Sequence, residues 1–159
     1  MEFAAVFFFF MLMLMMVLDF ARAMYVMNTL TEATRRGARM AIICPSPQDD
    51  PSGQYAALIR NVTVFDSFAG SGNSPVVKGL GSDDVLITYY DVNRTVTTVP
   101  RDIRFAEVQI ANSYQFQFII PGLNQIVNVS PFRSTLYTES LGAVPTALGA
   151  ATATPDCNF

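Results

Sequence analysis

Few residues in this chain are able to do chemistry, and they are poorly placed for it. Histidine is absent, so a serine or cysteine nucleophile lacks the usual imidazole base. Lysine occurs once, as Lys78, in a glycine-rich stretch. The notable carboxylates are adjacent pairs, Asp49-Asp50 and Asp83-Asp84. Glycoside hydrolysis needs two carboxyl groups facing each other across a sugar. Neighbouring acids in loop-like sequence are read instead as solvated groups or as caps of the segment that follows. A weak calcium site is the other chemistry such acids could serve, but no cluster with ligand spacing is visible. The stretch "GSGNS" at 70–74 has no Lys-Ser or Lys-Thr step and no strand–loop–helix frame, so it is not read as a phosphate cradle. The expectation is a protein without catalysis, cofactor or metal.

The two cysteines, Cys44 and Cys157, stand after the opening segment and near the end. In an oxidising compartment they are expected to pair. The bond would close a loop of about 110 residues, for which chain entropy gives roughly 4–5 kcal/mol before strain. Two unrelated free thiols are the alternative. Charge is uneven: residues 1–43 carry four arginines against three acids, and the rest carries six basic against ten acidic groups. No clustered basic surface is present, so nucleic acid is not an expected partner.

The elements that must position these residues begin with an unusual one. Glu2 is followed by sixteen residues, Phe3 to Leu18, without a charged or polar side chain. The helical pattern runs on through Phe20, Ala21, Ala23, Met24, Tyr25, Val26 and Met27, so a membrane span of about 3–27 is expected. Asp19 and Arg22 are three apart and can pair on one helix face. No proline precedes Pro45, and Leu30, Ala33, Thr34, Gly37, Ala38 and Ala41 extend a small-residue stripe. Some forty helical residues make a rod of roughly 60 Å, twice the hydrocarbon thickness. The second half therefore lies outside lipid and its stripe needs cover. Gly37 costs about 1 kcal/mol against alanine there. Close packing of a neighbour would justify it; a local weak spot is the other reading. Arg35, Arg36 and Arg39 lie near the helix end, where cations suit the dipole.

Three readings compete for this segment. A cleaved signal peptide finds its small-x-small site at Ala21-Arg22-Ala23, but it should start basic. A plain single-span anchor leaves the acid at the apolar tip unexplained. The reading adopted is a retained helix that anchors and later packs in an assembly, where a buried Glu2 would need a positive partner such as a chain amino terminus. The arginines follow the span, which by the positive-inside rule would place the downstream part in the cytoplasm. A basic leader upstream of Met1 would remove that conflict.

The succession Glu2-Phe3-Ala4, the apolar run, Asp19-Phe20-Ala21-Arg22, then Leu30-Thr31-Glu32-Ala33-Thr34-Arg35-Arg36-Gly37-Ala38-Arg39 resembles the TadE-like family. Members are minor pilins or pseudopilins of the bacterial tight-adherence (Tad/Flp) pilus system. The motif-bearing part covers residues 2–43. Val108, Ile110, Tyr114, Phe118, Pro121 and the stretch Phe132 to Thr138 give looser support. The resemblance implies a helix kept in the mature chain, with Glu2 matching the family glutamate that follows the prepilin cleavage site. A basic leader ending in glycine is then expected upstream, with insertion without processing as the alternative. It also implies residence in the inner membrane as a single-pass protein with the downstream domain outside the cytoplasm. Implied partners are the membrane, other pilin or pseudopilin subunits, the assembly machinery and, if a leader precedes Met1, the prepilin peptidase. The expected helix-packing residues are Glu2, Phe3, Asp19, Arg22, Gly37 and Arg39. Asn61, Asn93 and Asn128 begin Asn-x-Ser/Thr triplets, which in a bacterial pilin relative are read as coincidence. A single-span membrane protein that binds a ligand or partner through its outer domain, without a role in pilus assembly, is the alternative.

Downstream, residues 44–159 are expected to form an α+β head. "CPSPQDDPSG" leaves the helix as a turn, and 54–61 reads as a short helix. Residues 62–65 read as a strand remnant or the end of that segment, 66–83 as a mobile link. "VLITYY" at 85–90 is a strand, turned at 91–93 and returning as 95–99. A further strand runs through 103–116 with a phase break near Ala106-Glu107. Residues 116–120 lead to a Pro121-Gly122 turn, 123–129 reads as helix or loop, and 132–140 as the last strand. Residues 141–159 form a small-residue tail. The expected architecture is pilin-like α+β: a long amino-terminal helix, its first half spanning the membrane and its second half packed on a small antiparallel sheet.

Overall fold

The computed structural model describes residues 2–48, 50–67, 74, 77, 79–111, 115–117, 126–128 and 132–138; Glu2 and the segments 115–117 and 126–128 are described as backbone only. Helix α1 runs unbroken over Glu2–Ile43. Nothing in its sequence interrupts it, and its threonines are satisfied locally. Thr29, Thr31 and Thr34 donate their hydroxyls to the carbonyls of Tyr25, Met27 and Thr31 at 2.8–2.9 Å. The helix closes with the Cys44 N–H donating to the Met40 carbonyl at 2.9 Å, and Pro45 follows. Its last turn carries no basic residue. Arg39 lies one turn too early to serve the helix terminus, contrary to the dipole expectation.

Helix α2 spans Gln54–Phe65. Residues 62–65 are thus its last turn and not a strand remnant. It is entered through Gly53 at φ 69° and left through Asp66 at φ 58°. The left-handed exit is a common helix ending. A 3-10 turn, Ser82–Asp84, leads into β1, Val85–Tyr90. Strand β2 is Phe105–Ile110, β3 is Gln115–Gln117, β4 is Ile126–Asn128 and β5 is Arg133–Tyr137. One antiparallel sheet has the order β1-β2-β5, and β3 pairs with β4 in a separate antiparallel ribbon.

The partner of β1 is β2, in register from Val85↔Ile110 to Tyr90↔Phe105. The segment 95–99, expected as the return strand, makes one isolated bridge, Tyr90↔Val96. The turn before it is held by a side chain. Asp91 Oδ1 accepts the N–H groups of Asn93 and Thr95 at 2.8 and 2.7 Å, and Arg94 sits at φ 61°. The Asp91 side chain thus takes the Thr95 N–H from the hairpin, which keeps two backbone bonds, Asp91 N–H to the Thr95 carbonyl at 2.9 Å and Thr97 N–H to the Tyr89 carbonyl at 3.0 Å. Strand β2 alternates without a phase break: Ala106, Val108 and Ile110 are buried. The small Ala106 is a core position, and Phe105 belongs to the outer face. Residues 126–128, read as helix or loop, are strand β4. The Pro121-Gly122 turn and the tail 141–159 lie outside the described residues.

Helix α1 packs on β2, on β5 and on α2. The stripe expected to need cover has it: Leu30, Ala33, Thr34, Gly37, Ala38 and Ala41 are all buried. Leu30, Ala38 and Ala41 share one core with Ile59, Val85, Tyr89, Ile103, Val108 and Ile110, and Phe132 and Leu136 pack against its edge. Within the stretch read as a mobile link, Val77 and Leu80 are buried in that core. Ser74 ties this part to α2 by donating its hydroxyl to the Val64 carbonyl at 3.4 Å.

Candidate functional site

The surface most unlike that of a soluble domain is the first half of α1. Phe3 is 82% exposed, and no residue from Phe3 to Leu18 is buried. Soluble proteins rarely leave so large a contiguous apolar patch uncovered. Among the described residues, α1 is the one helix long and apolar enough to cross a membrane. The rings of Phe3 and Phe7, one turn apart, stack with centroids 6.3 Å apart. Those of Phe8 and Phe9 meet edge to face at 6.1 Å. Phe10, Met13, Leu14, Val17 and Leu18 line a shallow apolar depression of about 290 Å³.

Cover by the rest of the chain begins at Asp19, which is 6% exposed, and continues through Ala23, Val26 and Leu30. That spacing is one helix face. On the other side Phe20, Met24, Tyr25 and Met27 stay exposed. Over residues 19–27, therefore, α1 carries its own head on one face and presents apolar side chains on the other. Asp19 and Arg22 both have interacting partners; Asp19 is buried, whereas Arg22 is exposed. The sequence pattern marked Asp19 by charge alone and did not signal its burial.

Gly37 lies where three elements meet. A Cβ at this position would collide with Thr63 Oγ1 of α2 and stand 3.0 Å from Val108 Cγ1 of β2. Close approach, not weakness, explains this glycine. Arg39 is exposed nearby, and Arg36 pairs with Asp66 at 3.0 Å across the α1–α2 junction. With the two side chains 35% and 70% exposed, that pair is worth about 0–1 kcal/mol.

Cys44 is fully buried and disulfide-bonded. Its expected partner, Cys157, lies outside the described residues, as do Asp49, Lys78 and the side chain of Glu2. Asp50 is not a catalytic carboxylate. Its Oδ1 accepts Ser52 Oγ and the Gln54 N–H at 2.9 and 3.0 Å, and its Oδ2 accepts the Tyr55 N–H at 2.7 Å. It caps α2 from four residues before the helix. Burial acts to raise its pKa, but the Ser52 hydroxyl and the backbone donors outweigh this and hold it below the ordinary 3.8. Tyr89, buried and facing the Asp50 charge, has its hydroxyl pushed up to about 12. Among the described residues no group of three or more His, Cys, Asp or Glu side chains could hold a metal ion.

Residues 1–39 match the family model described as TadE-like protein. No curated protein and no solved structure gives a significant match.

Proposed function

From a TadE-like amino terminus as premise, we propose that this chain is a minor pilin or pseudopilin that anchors in the inner membrane and enters or primes the base of a Tad-type filament. Family membership and a helix of spanning length support a pilin-like structural role in Tad-type assembly and association with its machinery. The observation that carries the reading is the continuity of α1. One helix is bare and apolar over Phe3–Leu18 and becomes the core of the folded head from Leu30 to Ala41. A helix built this way can exchange lipid for neighbouring helices without rebuilding the head. Ala4, Ala5 and Ala21, all exposed, allow close approach of another helix. The disulfide at Cys44 supports a head outside the reducing cytoplasm.

In this reading Glu2 supplies the polar contact that sets a subunit's axial position, paired with the amino terminus of this or a neighbouring chain. Buried in an assembly without that partner, the carboxylate would cost several kcal/mol, on the order of a lost buried ion-pair partner. Glu2→Ala is expected to insert in the membrane normally but to lose co-purification with the other pilus subunits. Equal recovery of mutant and wild type with those subunits would overturn the assignment. Intact mass of the protein from its own membrane tests for a leader removed by a prepilin peptidase.

A further inference from the structure

The outer face of the β1-β2-β5 sheet, turned away from α1, carries a cavity of about 450 Å³. That volume falls within the roughly 300–1,000 Å³ of small-molecule sites. At its centre stands Glu107, whose carboxylate is fixed from both sides. Thr135 donates its hydroxyl to Oε2 at 2.9 Å, and Tyr90 donates to Oε1 at 3.4 Å. Each carboxylate oxygen keeps a lone pair for a further donor. Phe105 and Tyr137 form a wall beside it, edge to face at 5.7 Å and 83°. Tyr137 is 58% exposed, so its ring is open to a ligand.

Arg94 and Arg133 also line the cavity. Both residues are exposed, and neither forms an ion pair among the described residues. The Arg94 backbone is pinned at φ 61° by its N–H bond to the Asp91 carbonyl at 3.1 Å. The site thus holds two unspent cations around one carboxylate, in a head whose residues 44–159 carry ten acidic against six basic groups. The excess of one positive charge at the cavity favours an anionic ligand.

We propose that this cavity binds a carboxylated saccharide of the uronate type. A sugar's C–H face lies on an aromatic ring, its hydroxyls donate to Glu107, and its carboxylate takes the planar fork of Arg94 or Arg133. An acidic peptide would use the guanidinium groups but has no row of hydroxyls to match Glu107. The saccharide uses every group the cavity offers. The proposal does not depend on filament assembly.

The test is calorimetric titration of the full chain in nonionic detergent with trigalacturonate, maltotriose and triglutamate. Saturable binding of trigalacturonate is expected, with the neutral sugar and the peptide each weaker by about tenfold or more, the size of one charged hydrogen bond. Arg133→Ala and Glu107→Gln should each weaken trigalacturonate by about tenfold. Both positions lie on the solvent side of the sheet, and an unchanged far-UV spectrum verifies the fold. Absence of saturable trigalacturonate binding, equal affinity for triglutamate, or unchanged binding in both variants each overturns the proposal.

Discussion

Asp50 binds the first turn of α2 through backbone N–H groups, so its charge is part of the fold. Because its pKa is lowered in the folded protein, its contribution is present above the unfolded value near 3.8 and is lost as pH falls through the folded value. Asp50→Ala should lower stability by about 1 kcal/mol, the size of a helix cap. Denaturant unfolding at pH 7 reads the loss, and the gap between mutant and wild type should close in acid. Tyr89 acts at the other end of the scale. Its raised pKa keeps it neutral in the core, so its contribution holds below pH 10 and is lost as pH rises through about 12. Tyr89→Phe should remove a distinct alkaline unfolding step seen in a pH titration of ellipticity. A wild-type transition that persists unchanged in Tyr89→Phe would assign it to another group. At Gly37 two effects of opposite sign compete. Alanine gains about 1 kcal/mol of helix propensity, but overpacking a filled junction costs roughly 1–3 kcal/mol. Because the new methyl group meets Thr63 Oγ1 and Val108 Cγ1, overpacking wins and Gly37→Ala is destabilising. Pairing it with Thr63→Ala should recover part of the loss in thermal melts.

Secondary elements were legible where local pattern and tertiary demand agreed. The stripe from Leu30 to Ala41 announced a covered helix face, and β1 could be read residue for residue from "VLITYY". The failures share a cause. Thr95 to Val99 carries β-branched residues, yet its pairing with β1 stops after the single bridge Tyr90↔Val96, and β2 takes the full length of β1 instead. Ala106 looked like a break in phase because alanine is a weak hydrophobe, whereas the sheet needs a small residue under α1. The cap at Asp50 was half legible, since acids were expected to cap, but its reach over the Pro51–Gly53 turn follows no local pattern. Among the expected packing residues, Gly37 is packed within the head, whereas Phe3 and Arg39 are exposed. The burial of Asp19 could not, because it depends on chain far away in sequence. At this scale the disulfide at Cys44 also makes a prediction: reduction should cost about 2–5 kcal/mol and lower the melting temperature.

At the scale of the molecule, no residue from Phe3 to Leu18 is buried. A chain lacking residues 1–18 is therefore expected to fold with its disulfide intact and to run as a monomer without detergent. Aggregation of that chain on gel filtration, with wild-type protein well behaved in micelles, would show that the bare half also supports the head. The absence of any spacer between the bare half of α1 and its covered half has a mechanical consequence. There is no neck at which the head could swing or be cut loose. A machine that pulls the anchor along its axis pulls directly on the sheet, and one that twists it turns the whole head. The outer cavity then keeps a fixed bearing relative to the rod, so each subunit that enters a filament would display it at an angle dictated by the helix alone.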